Sequence, residues 1–177
     1  MIAMNNQAYI GLGSNLGNRV QNLETALVHI SQHKLVSIKK VSPVYESNPI
    51  GGPAQGNFLN ACLEISTSLS PVLLLETILA IENVMGRVRN VRWGPRNIDI
   101  DLLIYGNIVM DTPMLILPHP RLTEREFVIV PLSDIGYDTI VPGKCTTVGA
   151  IKETFGPVST LKHYTSFNLE RLLGKDN

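Results

Sequence analysis

Residues 97–105 read NIDIDLLIY, inside the longer run 86–106, GRVRNVRWGPRNIDIDLLIYG. Ile98, Ile100, Leu102 and Ile104 fall on one parity; Asp99, Asp101, Leu103 and Tyr105 fall on the other. A period of two marks a strand, and the β-branched isoleucines favour one. At a rise of roughly 3.3 Å per residue, Asp99 and Asp101 share a face about 6 to 7 Å apart at Cα. Carboxylates so spaced can converge on one divalent cation or bridge two. Magnesium suits them, because it takes hard oxygen ligands and lets substrate phosphates and water complete its octahedron.

Working outward, Arg87, Arg89, Arg92 and Arg96 precede the aspartates, with the only tryptophan, Trp93, among them. Gly94-Pro95 forces a turn just before the strand. The arginines therefore lie on a loop and its exit. Guanidinium is always charged and binds phosphate oxygens through paired hydrogen bonds. A D-x-D pair alone is most often a solvated strand face, and an arginine-rich loop is most often solvated or bound to nucleic acid. Their adjacency points instead to phosphate chemistry, with a nucleotide triphosphate and its metal.

The rest of the chain narrows the classes. With 15 Lys+Arg against 15 Asp+Glu in 177 residues, formal net charge is zero, which argues against a general nucleic-acid binder. Hydrophobic content of 44% and charged content of 17% indicate a globular chain, expected as one domain over 1–177. Cys62 and Cys145 form neither a metal spacing nor a disulfide framework, which suits a reducing cytoplasm. The first seven residues are polar, and no run is long enough to span a bilayer, so neither a signal peptide nor a membrane segment is expected.

The remaining elements follow from pattern. Residues 8–12 form a strand that runs into GLGSNLGNR, 11–19. That glycine-rich turn is neither a dinucleotide fingerprint nor a Walker loop, and a tight turn with an Asn cap is the preferred reading. Residues 19–32 form an amphipathic helix, with His29 and His33 on its surface. Residues 36–46 form a strand, and NPIGGPAQG, 48–56, is a loop. In the strand 57–66, Leu59, Ala61, Leu63 and Ile65 alternate with Phe58, Asn60, Cys62 and Glu64. Phe58 and Asn60 could stack on and hydrogen-bond a flat heterocycle, or simply face solvent. Ser70-Pro71 starts a helix that runs to about Met85 and stops at Gly86. Glu82 beside its apolar stripe either orients an arginine or is solvated. Residues 124–131 form a short helix.

The order β-α-β-β-α-β gives an α+β class with a ferredoxin-like core, an antiparallel sheet carrying both helices on one face. Phe58, Asn60, Asp99 and Asp101 then share a cleft on the opposite face.

These stretches resemble the 6-hydroxymethyl-7,8-dihydropterin pyrophosphokinase family of folate biosynthesis. The resemblance rests on YIGLGSNLGNR from Tyr9, SPVYES from Ser42, the Pro49-Ile50-Gly51 loop, FLNAC from Phe58 and GRVR from Gly86, followed by RWGPRNIDIDLLIYG from Arg92, LPHPR from Leu117 and REFVIVPL from Arg125. It is collinear over about residues 8–135 and leaves 136–177 as an extension of unclear role. It implies transfer of the terminal pyrophosphate of ATP to the hydroxymethyl oxygen of the dihydropterin, with AMP released and two Mg2+ ions on Asp99 and Asp101. It further implies Arg87 and Arg96 as catalytic arginines, and Arg89, Arg92, Trp93, His119 and Arg125 as ATP contacts. Phe58 and Phe127 become the rings that sandwich the pterin; Asn60 and the backbone around Ser47, Asn48 and Ile50 become its edge readers. The expected partners are small molecules, not nucleic acid or membrane, and the expected state is a monomer, with a dimer as the alternative.

Other classes compete. A ferredoxin-like RNA-binding module would need an aromatic RNP run and a basic face, and the sequence has neither. Another Mg-dependent nucleotide phosphotransferase or phosphohydrolase would share the charged residues, but would give ADP or hydrolysed nucleotide in place of AMP. A catalytically dead binding protein is disfavoured by the intact D-x-D pair and arginine set.

Overall fold

The computed structural model describes residues 6–87, 94–156 and 160–174. It is a mixed α/β structure built on an antiparallel sheet. In chain order the elements are β1 (Asn6–Ser14), α1 (Arg19–Ser31), β2 (Val36–Val41), β3 (Val44–Ser47), β4 (Phe58–Thr67), α2 (Pro71–Val84) and β5 (Asp99–Tyr105). A small hairpin of β6 (Met110–Asp111) and β7 (Ile116–Leu117) follows, then α3 (Glu126–Gly136), α4 (Val148–Thr154), β8 (Lys162–Thr165) and α5 (Leu169–Leu173). The main sheet runs β5-β1-β4-β3-β8, and β2 also pairs with β4.

Period-two patterning sorts the sheet into two faces. Ala8, Ile10 and Leu12 of β1, with Leu59, Ala61, Leu63 and Ile65 of β4, meet α1 and α2. The α1 stripe is Leu23, Ala26, Leu27 and Ile30; the α2 stripe is Leu74, Ile78 and Ile81. Both helices are capped as their sequences require: Asn18 accepts from the Gln21 N–H, and Ser70 accepts from the Leu73 N–H ahead of Pro71. Truncating a buried leucine here to alanine would cost about 2–5 kcal/mol.

Five expectations need correction. Residues 36–46 are not one strand. Ser42-Pro43 breaks them into β2 and β3, because proline cannot donate to the ladder. The break is tied to β4: the Ser42 N–H donates to the Cys62 carbonyl, and Ser42 Oγ accepts from the Cys62 N–H, each at 2.9 Å. The alternation of β5 also fails at its end. Ile10 pairs with Leu102 but Tyr9 pairs with Ile104, so Leu103 is an extra residue and the parity flips. Leu103 and Ile104 join the apolar group on the far face, while Tyr105 turns under α2, its hydroxyl donating to the Leu69 carbonyl.

The far face is only partly an open cleft. Val128, Ile129, Leu132 and Ile135 of α3 cover one end of it, packing on Tyr9, Cys62, Leu103 and Ile104. α3 continues through Pro131, where sequence patterning ends it, because Leu132 and Ile135 beyond the proline are buried. Of the two histidines expected on α1, His33 lies past the helix end, its Nδ1 accepting from the Leu35 N–H.

Candidate active site

The uncovered end of the far face is a cavity of about 260 Å³. Strand register builds its floor. Gly13 of β1 lies opposite Asn60 of β4 on one side and Asp99 of β5 on the other; Gly11 lies between Cys62 and Asp101 in the next row. A Cβ on Gly13 would sit 3.6 Å from Asn60 Oδ1 and 3.8 Å from the Asp99 Cβ, filling the space between them. Glycine at this crossing keeps the floor bare. The turn that looked like a mere connector thus supplies the base of the cleft.

On one side the groups are charged. Arg87 Nη1 lies 2.7 Å from Asp99 Oδ1, and Arg96 Nη1 lies 3.0 Å from Asp99 Oδ2. Glu82, only 2% exposed, accepts from Arg87 and from the Ile100 N–H. It is therefore the orienting residue, not a solvated one. Arg125 Nη1 stands 3.7 Å from Asp101 Oδ2. Burial first, and then the neighbouring Asp99 carboxylate, push Asp101 up to about 6. His119 is lowered to about 4, by burial first and then by Arg125. It is a neutral imidazole at pH 7, and its Nδ1 accepts from the Arg121 N–H at 3.2 Å. The proton therefore sits on Nε2, which is left as a donor.

The other side is neutral. Asn60, 5% exposed, donates from Nδ2 to Ser47 Oγ at 2.9 Å. Its Oδ1 is the atom that a side chain on Gly13 would meet, so the acceptor half of the amide faces the floor and the donor half is engaged within the protein. The Arg96 guanidinium lies 5.5 Å from the Phe58 ring centre, and that of Arg125 lies 5.6 Å from the Phe127 ring centre. These cation–π contacts join the two sides.

Ser47, Asn48, Ile50, Phe58, Asn60, Arg87, Arg96, Asp99, Asp101, His119, Arg125 and Phe127 all line this one cavity. Arg89, Arg92 and Trp93 lie outside the described residues. Gln55 and Arg121 also line the wall, and neither was singled out by sequence. Arg121 stands in LPHPR, two residues from a histidine that was. Gln55 carries no local signal.

Residues 9–137 match the family described as 7,8-dihydro-6-hydroxymethylpterin-pyrophosphokinase. A Bacillus subtilis protein named 2-amino-4-hydroxy-6-hydroxymethyldihydropteridine pyrophosphokinase is 50% identical over 132 residues, covering 75% of this chain and 79% of its own. A Haemophilus influenzae protein of the same name is 42% identical over 146 residues, covering 82% and 91%. Among solved structures, wild-type Plasmodium falciparum HPPK-DHPS with SDX-DHP superposes with a TM-score of 0.67 at 18% identity. That match covers 85% of this chain and 44% of the other, and bears on the fold alone. The chain belongs to the 7,8-dihydro-6-hydroxymethylpterin-pyrophosphokinase family.

Proposed function

We propose that this chain transfers the terminal pyrophosphate of ATP to the hydroxymethyl oxygen of 6-hydroxymethyl-7,8-dihydropterin and releases AMP. One observation carries the proposal beyond family membership: Asn60, Gly13 and Asp99 lie in one row across three strands. A planar ring held over Gly13 by Asn60 and the two phenylalanines would put its substituent beside Asp99 and the arginines. We read the order β5-β1-β4-β3, with α1 and α2 on one face, as the ferredoxin-like βαββαβ arrangement. Residues 136–177 are read as part of the same unit.

The residue roles follow from chemistry. Phe58 and Phe127 offer faces for stacking, and Asn60 Oδ1 accepts a ring N–H. Arg87 and Arg96 exchange Asp99 for phosphate oxygens and stabilise charge on the transferred group. Arg125 and the Nε2–H of His119 add donors, the histidine without adding charge. Asp99 and Asp101 fit Mg2+: they are hard oxygen donors on one face, in neighbouring rows of the same strand. Among the described residues no group of three or more His, Cys, Asp or Glu is poised for a metal, so phosphate oxygens would complete the ligand set. Bound there, two Mg2+ ions would offset charge on the attacking and leaving oxygens. We infer a monomer acting on small molecules; no described helix is long and apolar enough to cross a membrane.

The test is product identity by phosphorus NMR. ATP with magnesium and the dihydropterin should give AMP and a pterin diphosphate ester in equal amounts. ADP as the nucleotide product would replace pyrophosphoryl transfer with ordinary phosphoryl transfer.

A further inference from the structure

We propose that Asn15 is a positioning residue that couples the loop 48–56 to Arg96, so that binding on the neutral side of the cleft strengthens binding on the charged side. This rests on the pyrophosphoryl-transfer reading. Asn15 ends the turn GLGSN, is 8% exposed, and is not the cap of α1, which is Asn18. Its main chain and side chain grip one residue: the Asn15 N–H donates to the Arg96 carbonyl at 3.1 Å, and Asn15 Oδ1 accepts from the Arg96 N–H at 2.8 Å. The other end of the same amide grips the loop, Nδ2 donating to Gln55 Oε1 at 2.9 Å and to the Gly56 carbonyl at 3.2 Å.

An amide is planar and rigid, so its two ends move together. A displacement of the loop at Gln55 or Gly56 turns Nδ2, and Oδ1 turns with it, carrying the backbone of Arg96. Arg96 in turn stacks on Phe58 and reaches Asp99. The loop already faces the cavity through Asn48, Ile50 and Gln55, so a ligand there presses on one end of this lever. By linkage the effect is reciprocal: whatever the pterin adds to nucleotide affinity, the nucleotide adds to pterin affinity.

The test compares wild type with Asn15→Ala, which removes both side-chain arms, with Asn15→Asp, which keeps an acceptor for the Arg96 N–H and loses both loop contacts, and with Gln55→Ala, which removes one of the two loop contacts. Dihydropterin affinity is measured with and without α,β-methylene-ATP and magnesium, alongside kcat from AMP release and thermal unfolding. Wild type should show coupling of about 5- to 50-fold. Asn15→Ala should bring it to about 2-fold or less, with kcat reduced about 10-fold or more. Gln55→Ala should lower coupling with a smaller loss of kcat. A folded Asn15→Ala that keeps wild-type coupling would overturn the proposal, since a merely structural asparagine lowers stability and leaves coupling alone. If that variant does not fold, full coupling in Asn15→Asp, which cannot donate to Gln55 or Gly56, overturns it. Absence of pterin-dependent AMP from wild type would overturn the underlying reading as well, which separates the two failures.

Discussion

The two sides of the cleft are assembled by opposite means. On the charged side each group is held by a counter-charge: Arg87 between Glu82 and Asp99, Arg96 on Asp99, Arg125 on Asp101. On the neutral side Asn60 is held by hydrogen bonds to its own strand neighbours and is almost fully buried. Ion pairs at a cleft wall exchange readily for phosphate, whereas a buried amide bound to Ser47 stays where it is. The charged side is therefore a set of partners waiting to be swapped, and the neutral side is a preformed seat. In the proposed reaction, transition-state stabilisation belongs to the first and substrate binding to the second.

Breaking the charged side should give the largest effect. Asp99→Ala removes the common partner of Arg87 and Arg96 and half of the carboxylate pair. AMP release at saturating substrates should fall about 1,000-fold or more. Glu82→Gln is subtler, because Glu82 touches Arg87 and does not line the cavity. It leaves the buried Arg87 without one of its two charges, so kcat should fall about 10- to 100-fold and urea denaturation should show a loss of about 3 kcal/mol. Asn60→Ala breaks the neutral side and sharpens the contrast. The KM for the dihydropterin should rise about 10-fold while kcat at saturation changes little. The smallest effect on catalysis is expected far from the cleft, at Gly136. A Cβ there would lie 2.8 Å from Thr139 Oγ1 and 2.9 Å from the Tyr9 hydroxyl. Gly136→Ala should lose about 1–3 kcal/mol in denaturation and leave both KM values near wild type.

What was legible in the sequence was what depends on neighbours along the chain. Asp99 and Asp101 share a face because alternation is local, and Ser70-Pro71 starts α2 for the same reason. Alternation stopped being a guide at Leu103, because the bulge there is set by the register of β1, almost a hundred residues upstream in sequence. Glu82 could be located but not assigned: only the turn at Gly86, with φ +75°, brings Arg87 back onto it. Asn15 was invisible for a stronger reason. Its partners at 55, 56 and 96 share no spacing with it, and only the fold brings them to one amide. The C-terminal part was hardest. β8 is a four-residue strand at the edge of the sheet, and α5 is a five-residue helix with no buried residue, joined to α1 through Arg171 and Glu24 at 2.6 Å. The run 161–164 reads locally as strand, but nothing near it in sequence places it beside β3, and α5 carries no apolar pattern long enough to announce itself.

The most direct measurement is AMP release by the wild-type protein with ATP and magnesium, in the presence and absence of 6-hydroxymethyl-7,8-dihydropterin. A seat on one side and exchangeable partners on the other predict AMP only when the pterin is present, in proportion to the pterin consumed. AMP at the same rate without pterin, or none with it from folded protein, would contradict the assignment of the two sides to one transfer reaction.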